Sequence, residues 1–255
     1  MKIATWNVNS LRVRLSHVLD WLAAEQPDVM ALQETKLTDE QFPANDIESV
    51  GYQCIFSGQK TYNGVAVLAR HALHDAVTDL PAFDDPQRRL LAVTCNGIRV
   101  VNVYVPNGSE VGSEKYAYKL EWLERLTDLL ADELRRHERL VVLGDFNIAP
   151  EDRDVHDPEA WRGKVLCSDA ERAAFARLID LGFCDSFRRF SSATGEFSWW
   201  DYRMNGFRRN LGLRIDHILA SAAMERDLTA CRIDKGPRAL ERPSDHAPVL
   251  AEFVS

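Results

Sequence analysis

The stretch Leu140-Val141-Val142-Leu143-Gly144-Asp145 has a counterpart earlier in the chain, Val29-Met30-Ala31-Leu32-Gln33-Glu34. Each stretch is a short apolar run that ends in a carboxylate, which is typical of a buried strand with a polar group at its end. Before each stretch, apolar residues recur at helical spacing: Leu15, Val18, Leu19 and Leu22 precede the first, and Leu120, Leu123, Leu126, Leu130 and Leu134 precede the second. The repeated helix–strand pattern predicts an α/β fold with two halves of related architecture.

Short segments rich in valine, isoleucine and leucine, bounded by Gly, Pro, Asn or Asp, predict the strands of this fold. They are residues 2–8, 29–33, 64–69, 90–95, 98–104, 140–143, 215–220 and 249–253. A third helix is predicted over residues 169–181, with Ser168 as its N-cap and Glu171 at the capping-box position. The pattern alone is compatible with two packed sheets and with one doubly wound sheet.

The length and composition of the chain fit one globular domain over residues 1–255, of which 45% are hydrophobic. We expect its two related halves to cover about residues 1–119 and 120–255. No apolar run approaches the roughly 18 to 20 residues of a membrane span. Asn7 and Asn9 interrupt the first apolar run, so no signal peptide is expected. These features predict a soluble, cytoplasmic protein with no membrane partner.

The five cysteines are scattered and show no C-x-x-C spacing. This distribution indicates neither a zinc site nor a disulfide framework. We expect reduced thiols at Cys54, Cys95, Cys167, Cys184 and Cys231.

The net charge of −8 argues against a nucleic-acid partner when the chain is taken as a whole. A basic strip nevertheless lies between Tyr202 and Ile215, with no acidic residue inside it: Arg203, Arg208, Arg209 and Arg214. Such a strip can bind a phosphate backbone or can be a solvated loop, and the sequence favours neither reading.

Polar residues end or interrupt several of the predicted strands: Asn7, Glu34, Asp145, Asn147, Asp216, Asp245 and His246. Taken singly, each is explained as a turn residue or a helix cap. Taken together, four carboxylates beside apolar strands require a compensating cation or a hydrogen-bond network, because burying a lone carboxylate is costly. Oxygen-rich ligands of this kind suit Mg²⁺ or Mn²⁺ rather than zinc.

The same residues lie in motifs that run through the chain from end to end. They are Thr5-Trp6-Asn7-Val8-Asn9-Ser10-Leu11-Arg12, Leu32-Gln33-Glu34-Thr35-Lys36, Tyr62-Asn63-Gly64-Val65-Ala66, Asn102-Val103-Tyr104-Val105-Pro106-Asn107-Gly108, Gly144-Asp145-Phe146-Asn147-Ile148-Ala149-Pro150, Gly212-Leu213-Arg214-Ile215-Asp216-His217-Ile218-Leu219 and Ser244-Asp245-His246-Ala247-Pro248-Val249. In content and order they resemble the exonuclease III family of DNA-repair nucleases, within the endonuclease/exonuclease/phosphatase superfamily. The resemblance implies a DNase I-like, four-layered α/β sandwich, in which two packed β-sheets are flanked by helices.

The resemblance also implies in-line attack of water on phosphorus, assisted by Mg²⁺ for which Mn²⁺ can substitute. Glu34 would be the principal metal ligand, and the implied metal site also includes Asn7, Asp145, Asn147, Asp245 and His246. Asp145 would activate the water, and Asn147 would orient it or the phosphate. Asp216 would pair with His246, which would donate to the phosphate or, as an alternative, act as the general base. Tyr104 would bind the phosphate or support the leaving group.

The implied substrate is double-stranded DNA with abasic sites or blocked 3′ ends, which a monomeric, nucleoid-associated enzyme would cut or trim. Trp199, Trp200 and Leu213 would wall a pocket for a sugar without its base. Further DNA contacts are expected from Lys60, Arg88, Arg89, Asn107 and Arg208. Two alternatives stay open: the same chemistry on another phosphate substrate, and an inactive relative that only binds DNA.

Overall fold

The computed structural model describes residues 1–254, which form two six-stranded β-sheets packed face to face. The first sheet has the strand order β13 (Leu228–Ile233), β14 (Val249–Phe253), β1 (Lys2–Asn7), β2 (Val29–Gln33), β4 (Val65–Ala69) and β3 (Gln53–Ser57). The second has the order β5 (Leu73–Val77), β6 (Leu90–Cys95), β7 (Ile98–Tyr104), β8 (Leu140–Asp145), β12 (Asp216–Ser221) and β9 (Phe183–Asp185). A small hairpin-like pair, β10 (Trp199–Trp200) with β11 (Gly212–Leu213), stands apart from both sheets.

Helices cover the outer faces of both sheets. Those of the described chain are α1 (Leu11–Glu25), α2 (Ala44–Ser49), α3 (Glu114–Arg136), α4 (Pro158–Trp161), α5 (Asp169–Asp180) and α6 (Ala222–Asp227). The apolar faces of α1 and α2 pack on the first sheet, and those of α3 and α5 pack on the second. A third apolar cluster fills the space between the sheets, with Val67 and Ala31 on one side and Val93 and Leu143 on the other. The predicted four-layered α/β sandwich is therefore confirmed.

The central strands of the two sheets have the same arrangement. β1 and β2 are parallel and joined through α1, while β7 and β8 are parallel and joined through α3. In each sheet an antiparallel strand flanks the pair on either side. This is the repeated helix–strand pattern of the sequence, although each sheet is not one continuous half of the chain. The C-terminal β13 and β14 complete the first sheet, and the proposed division near residue 119 falls inside α3.

All eight predicted strands are confirmed to within two residues at either end. The three predicted helices are confirmed as α1, α3 and α5, and Ser168 and Glu171 form the predicted capping box. The sequence missed β3, β5, β9 and β13, which are the four edge strands of the two sheets. Edge strands are partly exposed, as the almost fully solvated β5 illustrates, so they lack the continuous apolar run that marks a strand buried on both faces.

Asn102, on β7, forms a polar bridge across the apolar interior between the sheets. Its side-chain amide donates to the carbonyl oxygens of Leu32 (3.0 Å) and Ala66 (2.9 Å), both on the opposite sheet. Its Oδ1 accepts a hydrogen bond of 2.8 Å from Nε2 of Gln33, and that amide also donates to Thr5 Oγ1. Since buried polar groups are costly when unpaired, these bonds fix how one sheet lies on the other.

No helix of residues 1–254 has the length and apolar character needed to cross a membrane.

Replacing Asn102 by alanine is expected to destabilise the protein by about 3 kcal/mol or more, because the Leu32 and Ala66 carbonyls and the Gln33 amide would each lose a buried partner worth ~1–3 kcal/mol. Urea unfolding followed by circular dichroism measures this loss. Asn45→Ala, at an exposed position of α2, is the matched control and should change the free energy of unfolding by less than about 0.5 kcal/mol. Equal effects of the two substitutions would show that the bridge does not stabilise the fold.

Candidate active site

The strand directions bring the predicted polar residues to one rim of the sandwich. Asn7 and Asp145 end β1 and β8, and Glu34 directly follows β2. β12 runs antiparallel to β8, so its first residue, Asp216, lies opposite Asp145. Asp245 and His246 precede β14, which runs antiparallel to β1. The ends of parallel strands from both sheets therefore meet here, as in ligand sites of other α/β folds.

Asn7 connects the two sheets at this rim. It is fully buried, and its Nδ2 donates to Glu34 Oε1 at 2.8 Å and to Asp145 Oδ2 at 2.9 Å. Its Oδ1 accepts from the backbone N–H of Asn9 at 3.0 Å. One amide thus holds a carboxylate of the first sheet beside a carboxylate of the second.

Glu34 and Asp145, with the His246 imidazole beside them, form a compact group whose carboxylate oxygens fit a divalent cation. One ligand atom from each of the three lies within 4.8 Å of the others. Asp145 is buried and Glu34 is only partly exposed, so their negative charges meet where solvent screens them poorly. Lys36 Nζ, 2.8 Å from Glu34 Oε2, offsets part of that charge. Oxygen donors held this close suit Mg²⁺ or a similar hard cation.

The backbone is bent sharply at two of these positions. Glu34 and Asn147 have φ values of 52° and 49°, a left-handed conformation that is uncommon for residues other than glycine. The Asn147 backbone N–H donates to Asp145 Oδ1 at 2.8 Å, and its side-chain amide donates to the Val105 carbonyl at 3.0 Å. Strained conformations cluster at functional sites, where neighbouring contacts maintain them.

Gly144, directly before Asp145, allows β8 to approach β7 closely. Its φ is +143°, and a Cβ added there would lie 1.9 Å from the Val103 carbonyl oxygen. Only glycine fits this position, and the close approach sets the level of Asp145 next to Tyr104, its register partner.

Asp145 and His246 have shifted proton affinities. Burial raises the pKa of Asp145 to about 7, with a further contribution from the negative charge of Asp216. For His246, burial opposes protonation, but the charges of Asp216 and Asp145 outweigh it and raise the pKa to about 10. His246 Nδ1 lies 2.9 Å from Asp216 Oδ2, and its Nε2 lies 3.8 Å from Asp145 Oδ2. The imidazole is therefore protonated at neutral pH between two carboxylates.

Ser198 holds Asp216 in place, a contact that the sequence analysis missed. Its hydroxyl donates to Asp216 Oδ2 at 2.7 Å and accepts from the backbone N–H groups of Ile215 and Asp216, each at 3.0 Å. Ser198 is fully buried. In the sequence, Ser198 is marked only by its position directly before Trp199 and Trp200, and a serine at such a position does not indicate a role in the site.

Asp245 belongs to the outer part of the site. Its carboxylate accepts from Asn9 Nδ2 at 2.9 Å and from Trp199 Nε1 at 3.0 Å. Burial raises the pKa of Asp245, but the charge of His246 and these two hydrogen bonds outweigh it, so the pKa is lowered. The Asp245 carboxylate lies outside the three-residue group around Glu34. Asn9 links the two parts, because its Oδ1 also accepts from Lys36 Nζ at 2.5 Å.

No role is predicted from the sequence for Asn9 and Lys36, although both lie within its motifs. Each lies two residues after a predicted site residue, Asn7 or Glu34, in a loop with positive φ. That spacing is the signal that could have identified them.

Tyr104 lies at the end of β7, beside Glu34 and Asp145. Burial raises its pKa well above the usual value, and the charge of Glu34 and a hydrogen bond to it act in the same direction. The Arg89 guanidinium lies over the Tyr104 ring, 4.6 Å from its centroid, and donates to the Tyr104 carbonyl at 3.2 Å. Tyr104 is therefore a neutral hydrogen-bond donor at physiological pH.

Lys119, on α3, supports the loops around Asn107 and Asn147 from below. It is fully buried, and Nζ donates to the carbonyls of Asn147 (2.6 Å) and Asn107 (3.1 Å) and to Glu171 Oε1 (2.5 Å). Asn107 Nδ2 in turn donates to Asn147 Oδ1 at 3.1 Å. Among the residues predicted to contact DNA, Asn107 is therefore hydrogen-bonded directly to a residue of the active site.

A second buried network supports the same region from the side of β12. Arg214 contacts Asp154 Oδ1 at 2.6 Å and Asp185 Oδ2 at 2.7 Å, and its Nη1 lies 2.9 Å from His217 Nδ1. His217 Nε2 donates to the Ile148 carbonyl at 2.9 Å. Burial and the charge of Arg214 lower the pKa of His217 to about 4, so the ring is neutral.

The predicted DNA-contacting residues are only partly accessible. Trp200 and Leu213 are fully buried, and their role in walling a sugar pocket stays a prediction. Trp200 packs edge-on against Phe207, and its indole donates to Asn210 at 3.1 Å. Arg214 is likewise removed from the basic strip, because its charge is used in buried ion pairs.

Trp199 is partly exposed and borders a surface cavity with His156, Trp161, Met204 and Leu211. Arg89 and Asn107 border another cavity, and Arg208 borders a third. Lys60 is exposed, and Arg88 is paired with Asp79, at 3.1 Å; neither lines these cavities.

A group of carboxylates and an imidazole that could hold a divalent cation, at the rim of two packed sheets, is a site of the kind that metal-dependent hydrolases use. The chain belongs to the Endonuclease/Exonuclease/phosphatase family, whose sequence profile matches residues 4–246. The predicted family, the DNase I-like fold and the prediction of a nuclease are confirmed.

Individual relatives resemble the chain over nearly its whole length. Exodeoxyribonuclease III of Haemophilus influenzae is 36% identical over 266 residues, covering 99% of this chain and all of the relative. The structure of the 3′ phosphatase NExo from Neisseria, bound to a product DNA hairpin, has a TM-score of 0.99 and 52% identity and covers 100% of both chains. An AP endonuclease from Archaeoglobus fulgidus has a TM-score of 0.94 and 39% identity, covering 99% of each chain.

The raised pKa of His246 makes the stability of the metal-free protein depend on pH. The protonated imidazole contributes fully below its unfolded pKa of 6.5, and the contribution is lost as the pH rises through about 10. His246→Asn should therefore reduce the free energy of unfolding at pH 6, and the difference from wild type should shrink steadily toward pH 10. Urea titrations in chelator at several pH values measure it. His74→Asn, at an exposed position, is the control; a pH-independent difference for His246→Asn would contradict the prediction.

Proposed function

We propose that the protein is a divalent-metal-dependent DNA phosphodiester hydrolase of base excision repair, acting at abasic sites and on 3′ ends. The observation that carries the proposal is the meeting of Glu34, Asp145 and His246 within 4.8 Å at the rim of two sheets. The relatives named as exodeoxyribonuclease III, AP endonuclease and 3′ phosphatase support this range of activities.

Glu34 and Asp145 would hold the cation, with Asn7 fixing the position of both carboxylates. Mg²⁺ suits these oxygen donors, and Mn²⁺ can substitute. When bound, the cation would neutralise charge on the phosphate and on the departing oxygen. Asp245 and Asn147, proposed from the sequence as further ligands, would act instead by positioning Asn9 and Asp145, to which they are hydrogen-bonded.

Asp145 would accept the proton of the attacking water. Burial raises its pKa to about 7 in the metal-free protein, and a bound cation would lower the pKa and keep the carboxylate deprotonated, as a proton acceptor requires. Asn147 would orient the carboxylate through the hydrogen bond from its backbone N–H.

His246 would bind a phosphate oxygen as a protonated imidazole. Asp216 accepts from Nδ1, so Nε2–H is directed toward Asp145, where the attacked phosphate would lie. A pKa raised to about 10 by the two carboxylates favours this electrostatic role over the general-base alternative, which needs a neutral ring. Tyr104, neutral and close to Glu34, would donate a second hydrogen bond to the phosphate or the leaving oxygen.

The substrate would be duplex DNA with an abasic site or a blocked 3′ end. The cavity beside Trp199 is partly lined by apolar and aromatic side chains, which suits a deoxyribose without its base. Trp199 also donates to Asp245, so the wall of this cavity is attached to the active site. We propose that the enzyme acts as a monomer on chromosomal DNA in the cytoplasm.

Cleavage of a duplex with one abasic site should require Mg²⁺ or Mn²⁺ and stop when a chelator is added. The same preparation should be assayed on a matched 3′ end and on a 3′-phosphate duplex, so that the three activities are compared at one site. Hydrolysis that persists in chelator would overturn the metal-dependent mechanism.

Asp145→Asn and His246→Asn should each lower kcat by ~10²- to 10⁴-fold, since each removes a group that acts in proton transfer or charge stabilisation. Binding of the duplex, measured by fluorescence anisotropy, should persist in both. Asp128→Asn, an exposed carboxylate of α3 with no hydrogen-bond or ion-pair partner in the described chain, is the control. Near-normal turnover in either variant would remove that residue from the mechanism.

A further inference from the structure

Arg238 is a buried cation that forms no ion pair among the described residues. It lies in the short helical turn Pro237–Ala239 and is 7% exposed. Its Nη2 donates to the Trp200 carbonyl at 3.2 Å, and its Nε has no partner. Within residues 1–254 it forms no ion pair with a carboxylate. The other deeply buried arginines, Arg99 and Arg214, both have one.

Two aromatic rings hold the Arg238 guanidinium. Its Cζ lies 5.2 Å from the centroid of Tyr202 and 5.1 Å from that of Phe207. Ring faces stabilise a cation but supply no hydrogen-bond acceptor in its plane. Burial lowers the pKa of Arg238, and the charge of Asp245, which is not in an ion pair with it, offsets this only in part.

Arg238 lines a surface cavity of about 380 Å³ together with Arg208, which is exposed and likewise unpaired within the described chain. Asp201 also lines the cavity, but both of its carboxylate oxygens accept from Arg203, at 2.6 to 3.0 Å. The cavity therefore presents two guanidinium groups and one carboxylate that is already neutralised. This composition favours an anion with several oxygens.

The cavity is close to the active site through the backbone. The Trp200 carbonyl accepts a hydrogen bond from Arg238. The Trp200 backbone N–H donates to the Asp245 carbonyl at 3.0 Å. Trp199, one residue earlier, donates to the Asp245 carboxylate. A DNA strand carries one phosphate for about 3.4 Å of axial rise, so a strand whose reacting phosphate lies at His246 would present further phosphates to the surface around the site.

We propose that Arg238 and Arg208 form a binding site for a non-scissile phosphate of the substrate DNA strand. The site would position the strand without reading its sequence. This inference rests on the proposed function, because it needs DNA as the substrate. The aromatic rings preorganise Arg238, while Arg208 closes on the phosphate from the solvent side.

The test measures binding of an abasic-site duplex in the Asp145→Asn background, in which the DNA stays intact. In that background, Arg208→Ala should reduce the slope of log K against log salt by about one, the value for one lost phosphate contact. Arg238→Lys, which keeps the charge but loses the planar fork, should weaken binding less than Arg208→Ala. Arg177→Ala, an exposed arginine on α5, should leave the slope unchanged.

Replacing single phosphates by neutral methylphosphonates locates the contact. One non-scissile position should weaken binding of the Asp145→Asn protein and have no further effect once Arg208→Ala is added. The inference is overturned if no position shows this dependence, or if Arg209→Ala reduces the slope as much as Arg208→Ala, which would indicate a diffuse basic surface. If either result is found and the wild-type protein still cuts abasic duplexes, only the inference about Arg238 and Arg208 fails. If the wild-type protein neither binds nor cuts these duplexes, the proposed function fails as well.

Discussion

The hydrogen bonds of Asn102 across the sheet interface set the geometry on which the rim depends. Apolar packing between two sheets resists separation but permits sliding, whereas hydrogen bonds from one side chain to two carbonyls of the opposite sheet permit only one alignment. In that alignment Asn7 of the first sheet reaches Asp145 of the second. Because the cation-binding group takes Glu34 from one sheet and Asp145 from the other, no half of the sandwich can form it alone.

The electrostatics of the rim follow from this enforced proximity. The alignment of the sheets holds Glu34 and Asp145 side by side although their negative charges repel each other. His246 lies between Asp145 and Asp216 and supplies the buried positive charge. Below the site, the buried ion pair of Lys119 with Glu171 holds the Asn147 loop, because Lys119 also donates to the Asn147 carbonyl. Ionisable groups with shifted pKa values, such as Asp145 and His246, are typical of functional sites.

The sequence predicted the central strands and the rim residues because both follow from local patterns. A strand buried on both faces is a continuous apolar run, and a carboxylate at its end is conspicuous. Edge strands such as β5 lack that run. Side-chain burial depends on tertiary packing, which the sequence does not show: Trp199 and Trp200 are adjacent tryptophans, but only Trp200 is buried, against Phe207. Lys119 acts through partners far along the chain, so no local pattern could reveal it.

Gly144 illustrates how a position without chemistry can be as constrained as a reacting group. Its backbone conformation and the Val103 carbonyl beside it exclude every side chain. In a saturation-mutagenesis survey selected for activity, this position would tolerate no replacement and would be indistinguishable from Asp145. Intolerance to substitution alone therefore does not identify the reacting residues of this fold. A position at its rim can be intolerant because two strands lie close together there.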